Sequence, residues 1–315
     1  MSRPTFRLIA PPVTPFRADG QLNLSVVGQQ AALLAETQVD GVFVAGTTGE
    51  CASLTLDERL SLASRWMEAA RPLELDVIVQ VGDNCQSDAI RMAAHAQEIG
   101  ADATAAYSPS YFRPADVEAL IEFLVPVAEA AGDLPFYFYD IPPTTNVRLP
   151  MLEFLERAKP RIPNLVGIKY SNTDLVQLQE CLRAGSGEYQ VLFGCDEILI
   201  TGIVLGVHGA IGSTYNFAGP LYRRMEAAFR HGDLATVRAC QLRSVDLVQK
   251  LSSFGFLAAL KETMKLFGID CGPVRSPLRN LSEEQRERLR GELARMEVAA
   301  LAQKFSSPAH PVGRH

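Results

Sequence analysis

Lys169 is the residue whose surroundings in the sequence point most directly to chemistry. It ends the short apolar run Leu165–Lys169, which has the composition of a buried β-strand. A lysine in such a place loses hydration, so its pKa falls and the neutral amine can attack a carbonyl carbon. A strand-end lysine can also reach solvent or pair with a carboxylate. Lys169 by itself therefore leaves a Schiff-base role and a structural role both open.

The remaining lysines give no comparable signal. All five occur in polar or helix-like stretches, where a solvated side chain is expected: Lys159, Lys250, Lys261, Lys265 and Lys304. Only Lys169 follows a run that resembles a buried strand, so it is the candidate nucleophile.

Tyr139 is a candidate partner for Lys169. It closes the apolar run Pro135–Tyr139, and the alternation of side chains along a strand puts Tyr137 and Tyr139 on one face. A phenol beside a cationic or iminium centre can relay a proton, although a lone tyrosine is more often a packing residue. Lys169 follows 30 residues later, one strand–helix unit further on. We therefore expect the two strands to be neighbours and the two side chains to lie within reach.

Hydroxyl and carboxylate groups follow three other strand candidates. The turn Gly46-Thr47-Thr48-Gly49-Glu50 can direct backbone N–H groups and two hydroxyls at a carboxylate, or it can be an ordinary turn with threonine caps. Asp196 and Glu197 follow the seventh strand candidate, and Ser213 follows the eighth. Acidic and hydroxyl groups at adjacent strand ends suit a polyol ligand. The two carboxylates can also cap the helix that follows them, and both roles are compatible.

Short apolar runs alternate with amphipathic helical patterns along the chain, which is typical of repeated βα units. Eight such units over about 230 residues predict the α/β class and favour a (β/α)8 TIM barrel over an open doubly wound sheet, although periodicity alone does not show closure. In such a barrel chemistry collects at the carboxyl ends of the strands. The predicted strands are Leu8–Val13, Gly41–Ala45, Asp76–Val81, Ala103–Tyr107, Pro135–Tyr139, Leu165–Lys169, Tyr189–Phe193 and Gly209–Gly212.

Three further helical patterns follow the eighth unit, at about Leu234–Leu251, Phe256–Leu266 and Ser282–Leu301. They predict a C-terminal helical extension without a strand of its own. We expect a catalytic barrel over residues 1–230, the extension over residues 231–303 and a disordered tail over residues 304–315.

Composition restricts the class of protein. The formal net charge of −6 and the absence of a Lys/Arg block argue against a nucleic-acid partner. No apolar stretch is long enough to cross a membrane and the N-terminus lacks the apolar core of a signal peptide, which favours a cytoplasmic location. The six cysteines show no CxxC pair and the five histidines show no metal-ligand spacing. The sequence therefore predicts reduced cysteines and no metal.

The motifs GTTGE, YDIP, GIKYS and GSTYN, in this order and spacing, resemble those of the class I pyruvate aldolases of the dihydrodipicolinate synthase and N-acetylneuraminate lyase superfamily. The resemblance runs from about Pro11 to Pro277. It is closest to the N-acetylneuraminate lyase branch, particularly its animal type. The implied activity is reversible cleavage of N-acetylneuraminate, a sialic acid, to N-acetylmannosamine and pyruvate. It implies no metal or organic cofactor, and a homotetramer.

The resemblance also implies a role for each matching residue. Lys169 would form the Schiff base with pyruvate, Tyr139 would shuttle a proton, and Thr47 and Thr48 would bind the pyruvate carboxylate. The positions that match those holding the N-acetylmannosamine portion are Ser171, Gly194, Asp196, Glu197 and Ser213. Tyr111 matches an aromatic residue of the subunit-interface region.

One departure separates the two main branches of the superfamily. The synthases carry an arginine two residues after the proline of the YNxP-type motif, whereas here Pro142 is followed by Pro143 and Thr144. Asp140, where many bacterial members have asparagine, leaves fine substrate preference open. The alternatives are another aldolase of the superfamily, acting on a 2-keto-3-deoxy sugar acid, and a non-catalytic ligand-binding homologue. Retention of the lysine, the tyrosine and both threonines speaks against the last of these.

Overall fold

Eight parallel strands close into a barrel in the computed structural model, which describes residues 6–302. The strands follow one another around the barrel in chain order, and the eighth pairs with the first. They are β1 (Arg7–Ala10), β2 (Gly41–Val44), β3 (Asp76–Gln80), β4 (Ala103–Tyr107), β5 (Phe136–Asp140), β6 (Leu165–Tyr170), β7 (Gln190–Phe193) and β8 (Gly209–Ile211). The predicted TIM barrel with helices after its eighth strand is confirmed.

Helices follow the strands on the outside of the barrel. They are α1 (Val27–Glu36), α2 (Leu56–Ala70), α3 (Gln86–Glu98), α4 (Val117–Ala130), α5 (Pro142–Thr145), α6 (Met151–Ala158), α7 (Leu175–Arg183), α8 (Leu199–Leu205), α9 (Tyr215–Arg230), α10 (Leu234–Ser252), α11 (Phe256–Met264) and α12 (Glu283–Arg295). Several begin at a capping side chain that satisfies free N–H groups, as Thr55 does in the capping box of α2. The polar residues before these helices thus fix where each one begins.

The strands alternate between two hydrophobic environments, as the period of two requires. Side chains such as Ile9, Phe43 and Ile78 fill the barrel interior together with Tyr137 and Tyr139. The intervening strand residues point outward and join the larger core between the barrel and its helices. Both faces of each strand are buried, which explains why each strand has a short, continuous apolar stretch in the sequence.

Two details of the strands matter for the site. β1 ends at Ala10 and not at Val13 as predicted, because Pro11 and Pro12 have no N–H to donate to a neighbouring strand. β5 pairs with β6 in a register that puts Tyr139 opposite Lys169. The expected proximity of these two strands is therefore a direct consequence of the barrel order.

The chain after α9 forms three helices, α10 to α12, and carries no strand within the described residues. The third pattern is shorter than predicted, because α12 ends at Arg295 and a separate 3-10 turn covers Val298–Ala302. α10 packs against α9, the last helix of the barrel. The division at residue 230 stays a prediction, and the predicted tail at residues 304–315 lies outside the described residues.

One expectation about the lysines is wrong. Lys261, on α11, has a side chain that is only 2% exposed and pairs with the carboxylate of Glu50 at 2.6 Å. The helical pattern suggested a solvated lysine, but α11 turns this face toward the barrel, where a buried carboxylate compensates the charge.

Within residues 6–302 we find no helix with the length and apolarity that a bilayer crossing requires.

Candidate active site

A cavity of about 450 Å³ opens at the carboxyl ends of the strands. Nine of the residues predicted from the sequence line it: Thr47, Thr48, Tyr139, Lys169, Ser171, Gly194, Asp196, Glu197 and Ser213. Tyr111 does not, since it lies on the surface with 80% of its side chain exposed. Parallel strands bring their carboxyl ends to one face of the barrel, so residues far apart in the chain meet there.

Lys169 lies at the floor of this cavity and is 3% exposed. Its Nζ lies 3.7 Å from the centre of the Phe43 ring and 3.8 Å from the centre of the Tyr139 ring. Among the described residues, no carboxylate lies within ion-pair distance of this amine. Burial lowers the pKa of Lys169 well below its ordinary value, and the more distant charge of Asp196 opposes this only in part. A buried lysine without a counter-charge is the form that supplies a neutral, nucleophilic amine.

The hydroxyl of Tyr139 lies 3.2 Å from the Thr47 hydroxyl. Its ring makes edge-to-face contacts with Phe43 and Tyr107. Burial raises the pKa of Tyr139, while its hydrogen bonds to Thr47 and Ser171 lower it in part. The phenol therefore keeps its proton at neutral pH and is held in one orientation.

The second threonine of the turn after β2 makes a different contact. Thr48 Oγ1 lies 2.7 Å from the hydroxyl of Ser213, which follows β8. The two threonines therefore face the cavity and contact other strand ends. The alternative in which they only cap a turn does not account for these contacts. Two hydroxyls directed at one space can bind a small anionic group such as a carboxylate.

Asp196 is buried, and its carboxylate accepts a hydrogen bond from the Thr214 hydroxyl at 2.7 Å. Burial raises the pKa of Asp196 to about 6, and the bond from Thr214 lowers it in part. The carboxylate bonds to Thr214, just before α9, and makes no capping bond to its own helical turn. Glu197, next to it, is exposed at the cavity rim. The helix-capping alternative therefore does not describe Asp196.

The ends of β6 and β7 approach closely at Gly194. A Cβ at this position would lie 2.0 Å from Ser171 Oγ and 3.1 Å from Ser171 Cα. Only glycine leaves room for the Ser171 hydroxyl to face the cavity. Gly194 thus contributes space and backbone to the site, and no side-chain chemistry.

Several cavity residues were not predicted from the sequence. Ile141, Thr144 and Thr173 line the cavity from strand-end loops. Val248 on α10 and Phe256 on α11 come from the extension. Ile141, Thr144 and Thr173 lie in or just after sequence motifs, so they could have been predicted to line the cavity. No local pattern in the sequence shows that the extension folds back over the strand ends.

The described residues contain no group of three or more His, Cys, Asp or Glu side chains arranged to hold a metal ion.

The sequence pattern of the dihydrodipicolinate synthetase family matches residues 4–296. The chain belongs to the dihydrodipicolinate synthetase family. It is a lyase of this family of class I pyruvate aldolases.

Several relatives within the family share the whole barrel with this aldolase. The N-acetylneuraminate lyase of Danio rerio is 40% identical over 275 residues, which are 86% of this chain and 90% of that enzyme. The N-acetylneuraminate lyase of Homo sapiens is 38% identical over 283 residues, or 88% of each chain. The structure of Proteus mirabilis N-acetylneuraminate lyase superposes with a TM-score of 0.90 at 36% identity, and the match covers 94% of this chain and 99% of that one.

Proposed function

We propose that this aldolase cleaves N-acetylneuraminate reversibly to N-acetylmannosamine and pyruvate, with Lys169 as the Schiff-base nucleophile. The observation that carries the proposal is the buried amine of Lys169, which lies 3.8 Å from the Tyr139 ring centre in a cavity that is lined by apolar side chains together with hydroxyl and carboxyl groups. The identity of about 40% to N-acetylneuraminate lyases supports the substrate.

In the proposed reaction the neutral amine of Lys169 attacks the C2 ketone of the open-chain sugar acid, and loss of water gives an iminium. The iminium accepts the electron pair of the C3–C4 bond when the C4 hydroxyl is deprotonated. This step releases N-acetylmannosamine as an aldehyde and leaves a pyruvate enamine on the lysine. Protonation of the enamine at C3 and hydrolysis of the iminium then release pyruvate and restore the amine.

Two side-chain sets support these steps. Thr47 and Thr48 hold the substrate carboxylate so that the ketone faces Lys169, which is an orientation effect. Tyr139 relays the proton: as its hydroxyl accepts the proton of the C4 hydroxyl it passes its own proton to the substrate carboxylate, so no phenolate forms, which burial would disfavour.

The remaining cavity residues fit the sugar portion. Asp196, Glu197 and Ser213 offer acceptors and a hydroxyl at adjacent strand ends, and Ser171 adds a hydroxyl beside Lys169. The position two residues after Pro142, where the synthases carry their arginine, is Thr144, which argues against a second anionic substrate bound there. These features favour a long polyhydroxy acid.

The test is release of pyruvate from N-acetylneuraminate, followed by NADH consumption through lactate dehydrogenase, for the wild-type enzyme and Lys169→Ala. We expect turnover with the wild-type enzyme and none with the variant, because the variant has no amine. Near-normal activity of Lys169→Ala would contradict the covalent mechanism. A wild-type enzyme that is silent on N-acetylneuraminate but cleaves 2-keto-3-deoxy sugar acids would retain the mechanism and change the substrate. Silence on both would favour a ligand-binding homologue.

We also propose that the aldolase is a cytoplasmic homotetramer. Two adjacent aromatic residues, Tyr111 and Phe112, are 80% and 86% exposed on one loop. Aromatic side chains of this kind are enriched in protein interfaces.

A further inference from the structure

A buried ion pair joins the extension to the barrel beside the active site. Glu50 Oε1 lies 2.6 Å from Lys261 Nζ, and the two side chains are 1% and 2% exposed. Glu50 ends the turn after β2 that carries Thr47 and Thr48. Lys261 lies on α11, more than two hundred residues later in the chain. The pair thus connects the proposed carboxylate-binding turn to an element outside the barrel.

The turn is held by the side chain of Glu50 as well as by its backbone. The residue has a φ of +57°, an uncommon conformation for a residue with a side chain, and its N–H donates to the Thr47 carbonyl at 3.0 Å. Its second carboxylate oxygen accepts a hydrogen bond from the backbone N–H of Arg275 at 2.9 Å. Two contacts from the C-terminal part of the chain therefore fix the carboxylate.

Lys261 is itself fixed on more than one side. Its Nζ donates to the Pro273 carbonyl at 2.7 Å and lies 4.3 Å from the centre of the Phe16 ring. Arg275 lies over the same ring and pairs with Glu58 at the start of α2. The Pro273 carbonyl and the Phe16 ring therefore hold the amine of Lys261 in place independently of Glu50.

Stability alone is a weak reason for such a pair. Two charges lose their hydration on burial, and well-packed apolar residues often replace a buried ion pair without loss of stability. A pair of fixed geometry, by contrast, restricts where the turn can lie. Neither Glu50 nor Lys261 lines the 450 Å³ cavity, so we expect both to act on the substrate through other residues.

We propose that Lys261 is a positioning residue: through Glu50, the extension sets the orientation of the turn that presents Thr47 and Thr48 to the substrate carboxylate. This inference rests on the function proposed above. Thr47 contacts Tyr139 and Thr48 contacts Ser213, so the position of the turn also affects how these strand ends meet. The pair therefore acts first on the two hydroxyls at the pyruvate end of the cavity and reaches the sugar end only through the contacts of Thr47 and Thr48.

The test uses Lys261→Met, Glu50→Gln and the double variant in the condensation of pyruvate with N-acetylmannosamine. We expect the KM for pyruvate to rise about 10- to 100-fold in all three variants, with a much smaller change in the KM for N-acetylmannosamine, because the carboxylate loses its orientation directly whereas the sugar is affected only through Tyr139 and Ser213. The double variant leaves no unpaired buried charge, so it keeps the test decisive if a single variant fails to fold. Lys250→Met is the matched control, since Lys250 pairs with Glu292 within the extension.

A second measurement separates this inference from the proposed function. Borohydride reduction traps the iminium between Lys169 and pyruvate as a stable amine, which mass spectrometry detects without any sugar substrate. We expect slower trapping of pyruvate in the variants but equal trapping of hydroxyacetone, which has no carboxylate. Wild-type KM for pyruvate in the double variant, or an equal rise for both substrates, would overturn the positioning role. If the wild-type enzyme itself traps no pyruvate, the proposed function fails.

Discussion

At the scale of single residues, the site depends on ionisable groups that are buried away from compensating charges. Lys169 has aromatic rings as its nearest neighbours, and the attraction of a cation to these rings is small beside the loss of hydration. Desolvation is therefore the dominant effect on the pKa of this amine. Lys261, by contrast, has a carboxylate at 2.6 Å that favours its charged form. Burial lowers the pKa of Lys261 as well, but the Glu50 carboxylate opposes that shift, so the pKa of Lys169 is the one that falls well below its ordinary value.

Replacement of Tyr139 by phenylalanine should lower kcat by about 10²–10⁴-fold, because it removes the proton relay and leaves the ring in place. The measurement is steady-state pyruvate release. Tyr137→Phe is the matched control, since Tyr137 lies on the same face of β5 and its hydroxyl donates to Gln190, an exposed residue at the start of β7 and away from the cavity. A similar loss in both variants would show that the effect comes from barrel packing and not from proton transfer.

Asp140 provides a test of pH-dependent stability. Burial raises the pKa of this carboxyl from 3.8 to about 6, so the folded state holds the proton more tightly than the unfolded chain. The free energy of unfolding should therefore fall as pH rises from about 4 to about 6, by about 3 kcal/mol, since one pKa unit corresponds to about 1.4 kcal/mol. Asp140→Asn should remove this contribution and leave the fall that Asp196 causes in the same pH range. The measurement is urea unfolding at several pH values.

The matched control for this series is Asp246→Asn, which changes an exposed carboxylate on α10 to an amide. Asp196 titrates in the same range and is present in every protein of the series, so the difference from wild type isolates Asp140. If wild type and Asp140→Asn show parallel stability curves, the burial of Asp140 does not carry an electrostatic cost.

At the scale of elements, the site depends on how closely the strand ends approach one another. The order of the strands around the barrel puts β5 beside β6 and β6 beside β7. The sequence predicts this adjacency from the repeated units, and with it the meeting of Tyr139 and Lys169. It does not predict distances such as that between Gly194 and Ser171, because these depend on the twist and stagger of the closed sheet.

Gly194→Ala should lower kcat/KM by about 10- to 100-fold and destabilise the protein by about 1–3 kcal/mol, because the added methyl group displaces Ser171. The measurements are steady-state kinetics and urea unfolding. Gly291→Ala is the matched control: this glycine lies in α12 with open space around it, so alanine should stabilise the helix by about 0.5–1 kcal/mol. An unchanged kcat/KM in Gly194→Ala would show that the ends of β6 and β7 can move apart without loss of activity.

At the scale of the whole molecule, the extension is part of the active site. Val248 and Phe256 close one side of the cavity, and Ser244 on α10 bonds to the backbone carbonyl of Asp196. A barrel without its extension would therefore lack one cavity wall, the hydrogen bonds of α10 to Asp196, and the contacts of Lys261 and Arg275 to Glu50.

The loop with Tyr111 and Phe112 tests the proposed assembly. The two rings contact each other edge to face, and Asn84 fixes the loop by accepting a hydrogen bond from the Tyr111 N–H at 3.0 Å. We expect the double variant Tyr111→Ala/Phe112→Ala to sediment as a smaller species than wild type in analytical ultracentrifugation, because exposed aromatic residues dominate interface energies. Leu242→Ala, another exposed apolar residue, is the control. A wild-type monomer would refute the homotetramer.

The sequence by itself determined the barrel, its eight units and the positions of Lys169, Tyr139, Thr47 and Thr48 on strand ends. These features follow from local patterns, since apolar runs and helical periods repeat along the chain and parallel strands must end on one face. Only the tertiary structure decided that Lys261 is buried and that the extension lines the cavity. The reason is physical: those contacts join residues more than two hundred positions apart, and no short-range pattern encodes which face of a distant helix will meet the turn after β2.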